Sequence, residues 1–191
     1  MQSPTLIRRL LPSITMLGAS LVPMASFAAD PPLWQRLGHA AWVAEGAMHP
    51  QHLFYVITDA NCPYCNELWQ ELLPLYGQGL QVRYVMVGIL SDSSPGKAAA
   101  ILESRDPAAA LDRDESDYGK LPDDSGGGIR PLAKPKSRTL AALKRDERLM
   151  YDLGGQGTPM LVYRDAKGDL RVIQSVPPAT ALSGIMRDAA P

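Results

Sequence analysis

The sequence predicts an α/β domain in which a βαβ unit, a helical insert and a ββα unit follow one another. An unbroken apolar run at 52–58, typical of a strand buried on both faces, and a second predicted strand at 80–87 flank a helical pattern and indicate a parallel pair. Nearer the C-terminus, the runs 160–164 and 170–175 flank Asp165-Ala166-Lys167-Gly168, which has the composition of a hairpin turn. These observations together predict a sheet that mixes parallel and antiparallel strands.

Each remaining element has its own signal. Residues 32–46 place Leu33, Trp34, Leu37 and Ala41 at helical spacing and end in glycine, which predicts an amphipathic helix. The other predicted helices are 63–76, 94–102, a segment from Asp106 towards Tyr118, 139–153 with a stop at Gly154-Gly155, and 180–187; residues 120–136 form a Pro/Gly-rich loop. We therefore expect an N-terminal helical segment at 29–52 and one domain at 53–191, with its helical insert at about 92–153.

The first 28 residues have the pattern of a secretory signal peptide. Arg8 and Arg9 precede an apolar stretch that ends in small residues, and we expect cleavage after Ala28, with Ala29 as the neighbouring choice. An uncleaved anchor is the alternative, but the stretch is shorter than the ~20 residues of a spanning helix and is broken by Pro12 and Pro23. The formal net charge of −1 gives no basic excess, so we expect no nucleic-acid partner.

The two cysteines form the motif Cys62-Pro63-Tyr64-Cys65 between a predicted strand and a predicted helix. A pair so close in sequence closes a very short loop and contributes little to stability, so chemistry explains it better than structure. At the helix start, unsatisfied N–H groups and the dipole favour a thiolate, which indicates Cys62 as the more accessible attacking thiol. Cys65 then resolves the mixed disulfide, while Pro63 and Tyr64 shape the site.

A zinc half-site is an alternative for this motif because His49 and His52 form an HxxH pair upstream. The intervening strand argues against it, since six extended residues span roughly 20 Å and zinc ligands lie within ~2 Å of the ion. We therefore expect no metal and no cofactor, with the histidines at the surface.

Thr158-Pro159 follows a helix stop and directly precedes a strand. A cis bond there would bring the loop against the cysteine sulfur and leave the Thr158 backbone to pair with an extended substrate. A trans proline that only begins an edge strand is the alternative. Asp59 is interpreted as a turn former, and the acidic run 112–117 as a solvated helix face.

The segment FYVITDANCPYCNELWQELLP resembles the active-site block of the DsbC/DsbG thiol:disulfide interchange proteins, the DsbG branch most. The similarity extends through VMVGIL, AAAILESRDP and ERLMYDLGGQGTPMLVY. It implies a thioredoxin fold with a helical insert, a redox-active Cys62/Cys65 pair, a cis Pro159 and substrate contact at Thr158.

The resemblance also implies a periplasmic location and exported protein substrates that carry disulfides or oxidised cysteines. A membrane-bound thiol reductase is the implied redox partner. Members of the family carry an N-terminal dimerisation domain, whereas here only a few residues separate the predicted signal peptide from Trp34. We therefore expect a monomer with weak isomerase activity.

These features favour a thiol:disulfide oxidoreductase. A catalytically weak peptide-binding or assembly module that retains the cysteine pair is the second hypothesis. Turnover of a disulfide substrate discriminates between the two.

Overall fold

A computed structural model describes residues 32–122 and 126–191. The predicted signal peptide and its cleavage site lie outside these residues. Within them, no helix combines the length and apolar character needed to cross a membrane. The elements in chain order are α1 (Leu33–Gly38), β1 (Trp42–Gly46), β2 (His52–Asp59), α2 (Pro63–Tyr76), β3 (Leu80–Val87), α3 (Ser94–Leu102), α4 (Pro107–Ser116), α5 (Ser137–Asp152), β4 (Met160–Arg164), β5 (Leu170–Ile173) and α6 (Ala179–Asp188).

The strands form one sheet in the order β1-β3-β2-β4-β5. Strands β2 and β3 are parallel, as the βαβ prediction requires, and all other neighbouring pairs are antiparallel. The predicted hairpin is confirmed, because Leu161 to Arg164 pair with Ile173 to Leu170 across the turn. Gly168 in that turn has a φ of 86°, a conformation that glycine adopts without steric cost.

Alternate residues of β2 enter two different apolar layers, which explains the unbroken hydrophobic run. Phe54 and Val56 lie in the layer that includes buried residues of α2 and α6, whereas Tyr55 and Ile57 lie in the layer that includes those of α1 and α5. A strand covered on both faces needs apolar side chains at every position. The end of β2 is thereby held rigidly where α2 begins.

The helix predicted over 32–46 is wrong beyond Gly38. Residues Trp42 to Gly46 instead form an edge strand that pairs antiparallel with β3, from Trp42 opposite Val85 to Gly46 opposite Gln81. The exposed edge of β3 offers backbone hydrogen bonds that override a weak helical pattern. The boundary expected at residue 53 therefore does not separate two units, since β1 belongs to the same sheet.

Candidate redox site

The site lies where β2 ends and α2 begins. Cys62 is the N-cap of α2, and its Sγ accepts a hydrogen bond from the backbone N–H of Cys65 at 3.2 Å. Pro63 occupies the first helical position, where the missing N–H leaves no intrahelical bond unmade. The helix start therefore presents a donor directly to the first sulfur, as the sequence pattern predicted.

The loop before β4 contributes the second part of the site. The Thr158-Pro159 peptide bond is cis, as predicted. Because β4 pairs with β2 with Met160 opposite Ile57, the loop is carried to the end of β2. The Thr158 carbonyl lies 3.5 Å from Cys62 Sγ and accepts from the thiol.

The two sulfurs differ in acidity and not in exposure. Cys62 and Cys65 are each only 2% exposed, so the expectation that Cys62 is the more accessible thiol is wrong. The pKa of Cys62 is lowered to about 7, chiefly by the hydrogen bond from the Cys65 side chain, with further contributions from the Thr158 side chain and from backbone N–H groups. Burial raises the pKa of Cys65, and the neighbouring Cys62 raises it further.

A groove opens beside the cysteine pair. Its volume is about 410 Å³, and it lies between the start of α2, the cis-proline loop and the segment after β5. Tyr64 lines it with a side chain that is 62% exposed. The residues around it are Tyr64, Glu67, Thr158, Pro159, Gln174, Ser175 and Val176. An extended chain in this groove would lie next to Thr158 and Pro159.

Asp59 forms the turn before the motif, as predicted, but it also has a wider structural role. Its buried carboxylate accepts from the backbone N–H of Asn61 at 2.9 Å, of Ile89 at 2.7 Å, and from Ser94 Oγ at 2.7 Å. The same side chain thus joins the turn before Cys62 to the loop before α3. The Asp59 carboxylate thus fixes the backbone of both segments, which agrees with a structural role.

The end of α4 contacts the chain on either side of the CPYC motif, which the sequence reasoning missed. Asn66 Nδ2 donates to the Glu115 carboxylate at 2.9 Å and to the Glu115 carbonyl at 2.7 Å. Tyr118 donates its hydroxyl to the Asn61 carbonyl at 2.8 Å. These two contacts fall directly after Cys65 and directly before Cys62.

The acidic run 112–117 is therefore not a solvated face throughout, since Asp114 and Glu115 are buried. Helical spacing could have indicated that Glu115 is buried, because Glu115 lies four residues after the buried Leu111 and shares its helix face. Burial raises the pKa of Glu115 to about 8, and the acidic neighbours Asp114, Glu45 and Cys62 add to the increase.

His52 lies at the other end of β2 from Cys62. Its Nδ1 is 2.8 Å from the Ala189 carbonyl, in contact with the end of α6. In the ranges 32–122 and 126–191 there is no cluster of three or more His, Cys, Asp or Glu side chains that could hold a metal ion.

Comparison with known proteins identifies a family and relatives that this chain resembles. The family described as a thioredoxin-like domain matches residues 38–190. The thiol:disulfide interchange protein DsbG of Pseudomonas aeruginosa is 34% identical over 155 residues, which cover 81% of this chain and 58% of that protein. DsbG of Escherichia coli is 33% identical over 155 residues, covering 81% of this chain and 60% of that protein. The chain thus spans about three fifths of the length of these curated relatives.

Solved structures agree in fold. A periplasmic thioredoxin-like protein from Salmonella enterica serovar Typhimurium superposes with a TM-score of 0.59 at 20% identity, covering 77% of this chain and 88% of its own. A disulfide interchange protein from Neisseria gonorrhoeae gives 0.56 at 22% identity, covering 78% and 95%. The predicted thioredoxin fold is confirmed, and the chain belongs to the thioredoxin-like domain family.

Proposed function

We propose that this chain is a thiol:disulfide oxidoreductase in which Cys62 attacks and Cys65 resolves. The observation that carries the proposal is the opposite perturbation of the two thiols. Cys62, with a pKa of about 7, is about half ionised at pH 7, whereas burial keeps Cys65 protonated. Only the thiolate is a nucleophile, so this asymmetry supports attack by Cys62 before resolution by Cys65.

In the first step, the Cys62 thiolate attacks one sulfur of a substrate disulfide. A mixed disulfide forms, and the other substrate sulfur leaves as a thiolate. Cys65 then loses its proton and attacks Cys62 Sγ, which forms the Cys62–Cys65 disulfide and releases the second substrate sulfur as a thiolate. Two electrons pass to the substrate; with a sulfenic acid, the first leaving group is hydroxide.

The groove supports a role in holding an extended segment of the substrate. In this proposal Thr158 supplies backbone contacts, and Pro63, Tyr64 and Pro159 shape the surface around the sulfur. A segment that enters beside Thr158 would bring its own sulfur towards Cys62, because the Thr158 carbonyl is 3.5 Å from Cys62 Sγ.

We place the protein in the periplasm, after removal of a signal peptide that ends near Ala28. The substrates are exported proteins with disulfides or oxidised cysteines, and a membrane-bound thiol reductase returns electrons to the oxidised pair. The DsbG relatives and the periplasmic thioredoxin-like protein from Salmonella support this assignment. In an oxidising compartment, continued reduction requires such an electron source.

The first experiment measures reduction of insulin by the mature protein with dithiothreitol or glutathione as the electron source. We expect turnover that is abolished in Cys62→Ser, a variant that keeps the fold and removes the nucleophile. If the wild-type protein gives no turnover at any glutathione ratio but binds unfolded peptides beside Thr158, the chain is a binding module and the proposal is wrong.

A further inference from the structure

The helical insert brings a buried carboxyl to the redox helix. Glu115 is only 4% exposed, and its carboxylate accepts from Asn66 Nδ2 at 2.9 Å. Asn66 is the residue after Cys65, and its backbone N–H donates to the Cys62 carbonyl at 3.2 Å. Glu115 is therefore linked through one residue to the first turn that carries both cysteines.

The ionisable groups around Glu115 disfavour a negative charge on its carboxyl group. The ionisable groups that act on it most strongly are Asp114 on its own helix, Glu45 from β1 and Cys62 at the start of α2. Burial is the main cause of the raised pKa of Tyr76, Tyr84 and Tyr118, and Glu115 adds to the increase in all three. The ammonium of Lys97, a buried cation on α3, donates to the Gly127 carbonyl at 2.7 Å.

Reduction of the cysteine pair changes this environment. When a thiol reductant supplies two electrons, the Cys62–Cys65 disulfide and one proton become a Cys62 thiolate and a Cys65 thiol. A negative charge then exists at Cys62 that the disulfide lacked. Because that charge raises the pKa of Glu115, Glu115 binds a proton more tightly in the reduced protein than in the oxidised protein.

We infer, on the basis of the proposed function, that Glu115 is a positioning residue that takes up a proton as the disulfide is reduced. The carboxylate becomes a carboxylic acid, still joined to Asn66, and the Cys62 thiolate is spared a buried negative neighbour. Proton uptake and thiolate formation stabilise one another, so the carboxyl makes the redox equilibrium of the pair depend on pH.

The test compares Glu115→Gln with the wild-type protein in equilibrium with reduced and oxidised glutathione at pH 6 and pH 9. Gln keeps an acceptor for Asn66 but cannot ionise. At pH 6 Glu115 is protonated in both redox states, and we expect equal equilibrium constants. At pH 9 the ionised Glu115 opposes the thiolate, so the variant should be reduced more readily by roughly three- to tenfold, the effect of half to one pKa unit.

Asp146→Asn is the matched control. Asp146 is also a buried carboxyl with a raised pKa, caused mainly by desolvation, but it accepts from the Ala41 backbone N–H at 2.7 Å, and Cys62 is not among the groups that shift its pKa. This control should match the wild-type protein at both pH values. A change in Glu115→Gln of the same size at pH 6 and pH 9, or no change at either, overturns the inference.

An infrared difference spectrum of the wild-type protein gives the same test without a variant. At pH 8 the reduced-minus-oxidised spectrum should gain the C=O band of a protonated carboxyl, and the absence of that band overturns the inference. The two proposals fail separately. A cysteine pair that does not exchange with glutathione at all contradicts the proposed function. A cysteine pair that exchanges normally but gives no infrared band of a protonated carboxyl contradicts only the role of Glu115.

Discussion

At the scale of single residues, two equally buried thiols are given different chemistry by their hydrogen bonds. Cys62 accepts from the Cys65 N–H and from the Cys65 side chain, whereas desolvation is the main cause of the raised pKa of Cys65. Hydrogen bonds to the charged form of a group favour ionisation, and burial without them opposes it. The direction of attack therefore follows from which sulfur receives the donors.

The first prediction concerns the pH dependence of Cys62. Alkylation by iodoacetamide should accelerate as the pH rises to about 7 and level off above it, since the thiolate reacts and its pKa is lowered to about 7. Cys65→Ala removes the largest cause of the lowered pKa and should shift the profile to higher pH. Cys65→Ser retains a hydroxyl donor and should shift it less. Identical profiles for the three proteins would contradict the assigned cause.

A second prediction concerns the release step. In Cys65→Ser, attack by Cys62 is retained and resolution is lost, so mixed disulfides with exported proteins should accumulate. Non-reducing gels of periplasmic extracts reveal these adducts, and reduction removes them. Cys62→Ser is the control and should trap none; the opposite pattern would reverse the two roles.

Much of the site could be predicted at this scale from local patterns. The CPYC motif, its helix start and Thr158-Pro159 can each be recognised from residues adjacent in sequence, and the structure brings them together. Two features escaped prediction because they depend on distant packing. The burial of Cys62 requires its surroundings in the folded protein, and the contact of Glu115 with Asn66 joins residues 49 positions apart.

At the scale of elements, β1 shows how the sheet overrides a local pattern. Residues 42–46 follow directly on apolar side chains at helical spacing that end at Ala41, yet they pair with β3 along their whole length. The interior of the sheet was predictable because β2 is covered on both faces and is apolar from Leu53 to Ile57, and β3 is apolar from Tyr84 to Val87. An edge strand has no such constraint, so its sequence carries a weaker signal.

A third prediction tests the attachment of β1 to α2. The Glu45 carboxylate accepts from Trp69 Nε1 at 2.9 Å and from the Tyr76 hydroxyl at 3.0 Å. Glu45→Ala leaves these partly buried donors without their acceptor and should lower the free energy of unfolding by about 1–3 kcal/mol. Glu45→Gln retains one acceptor and should cost less. Urea denaturation of the two variants checks the order, and equal stability of Glu45→Ala and wild type would contradict the contact.

At the scale of the whole molecule, the groove beside the cysteine pair bears on what the chain can hold. This groove has a volume of about 410 Å³ and is lined by Thr158 and Pro159, where the proposed function places an extended substrate segment. The large apolar side chains exposed on the described residues come from separate parts of the chain, namely Met48, Tyr64, Leu73, Leu90, Leu132 and Tyr151.

The last prediction is that the mature chain is a monomer with weak isomerase activity. Isomerisation requires an enzyme to hold a misfolded protein while several disulfides are exchanged, and the groove beside Cys62 contacts one extended segment at a time. Small disulfides and oxidised single cysteines should therefore react readily, whereas a scrambled enzyme with several disulfides should recover slowly. Light scattering measures the mass, and recovered activity of scrambled ribonuclease measures isomerisation. A stable dimer that restores activity as fast as a dimeric DsbC-type isomerase would show that a surface outside the groove joins two copies and holds the substrate between them.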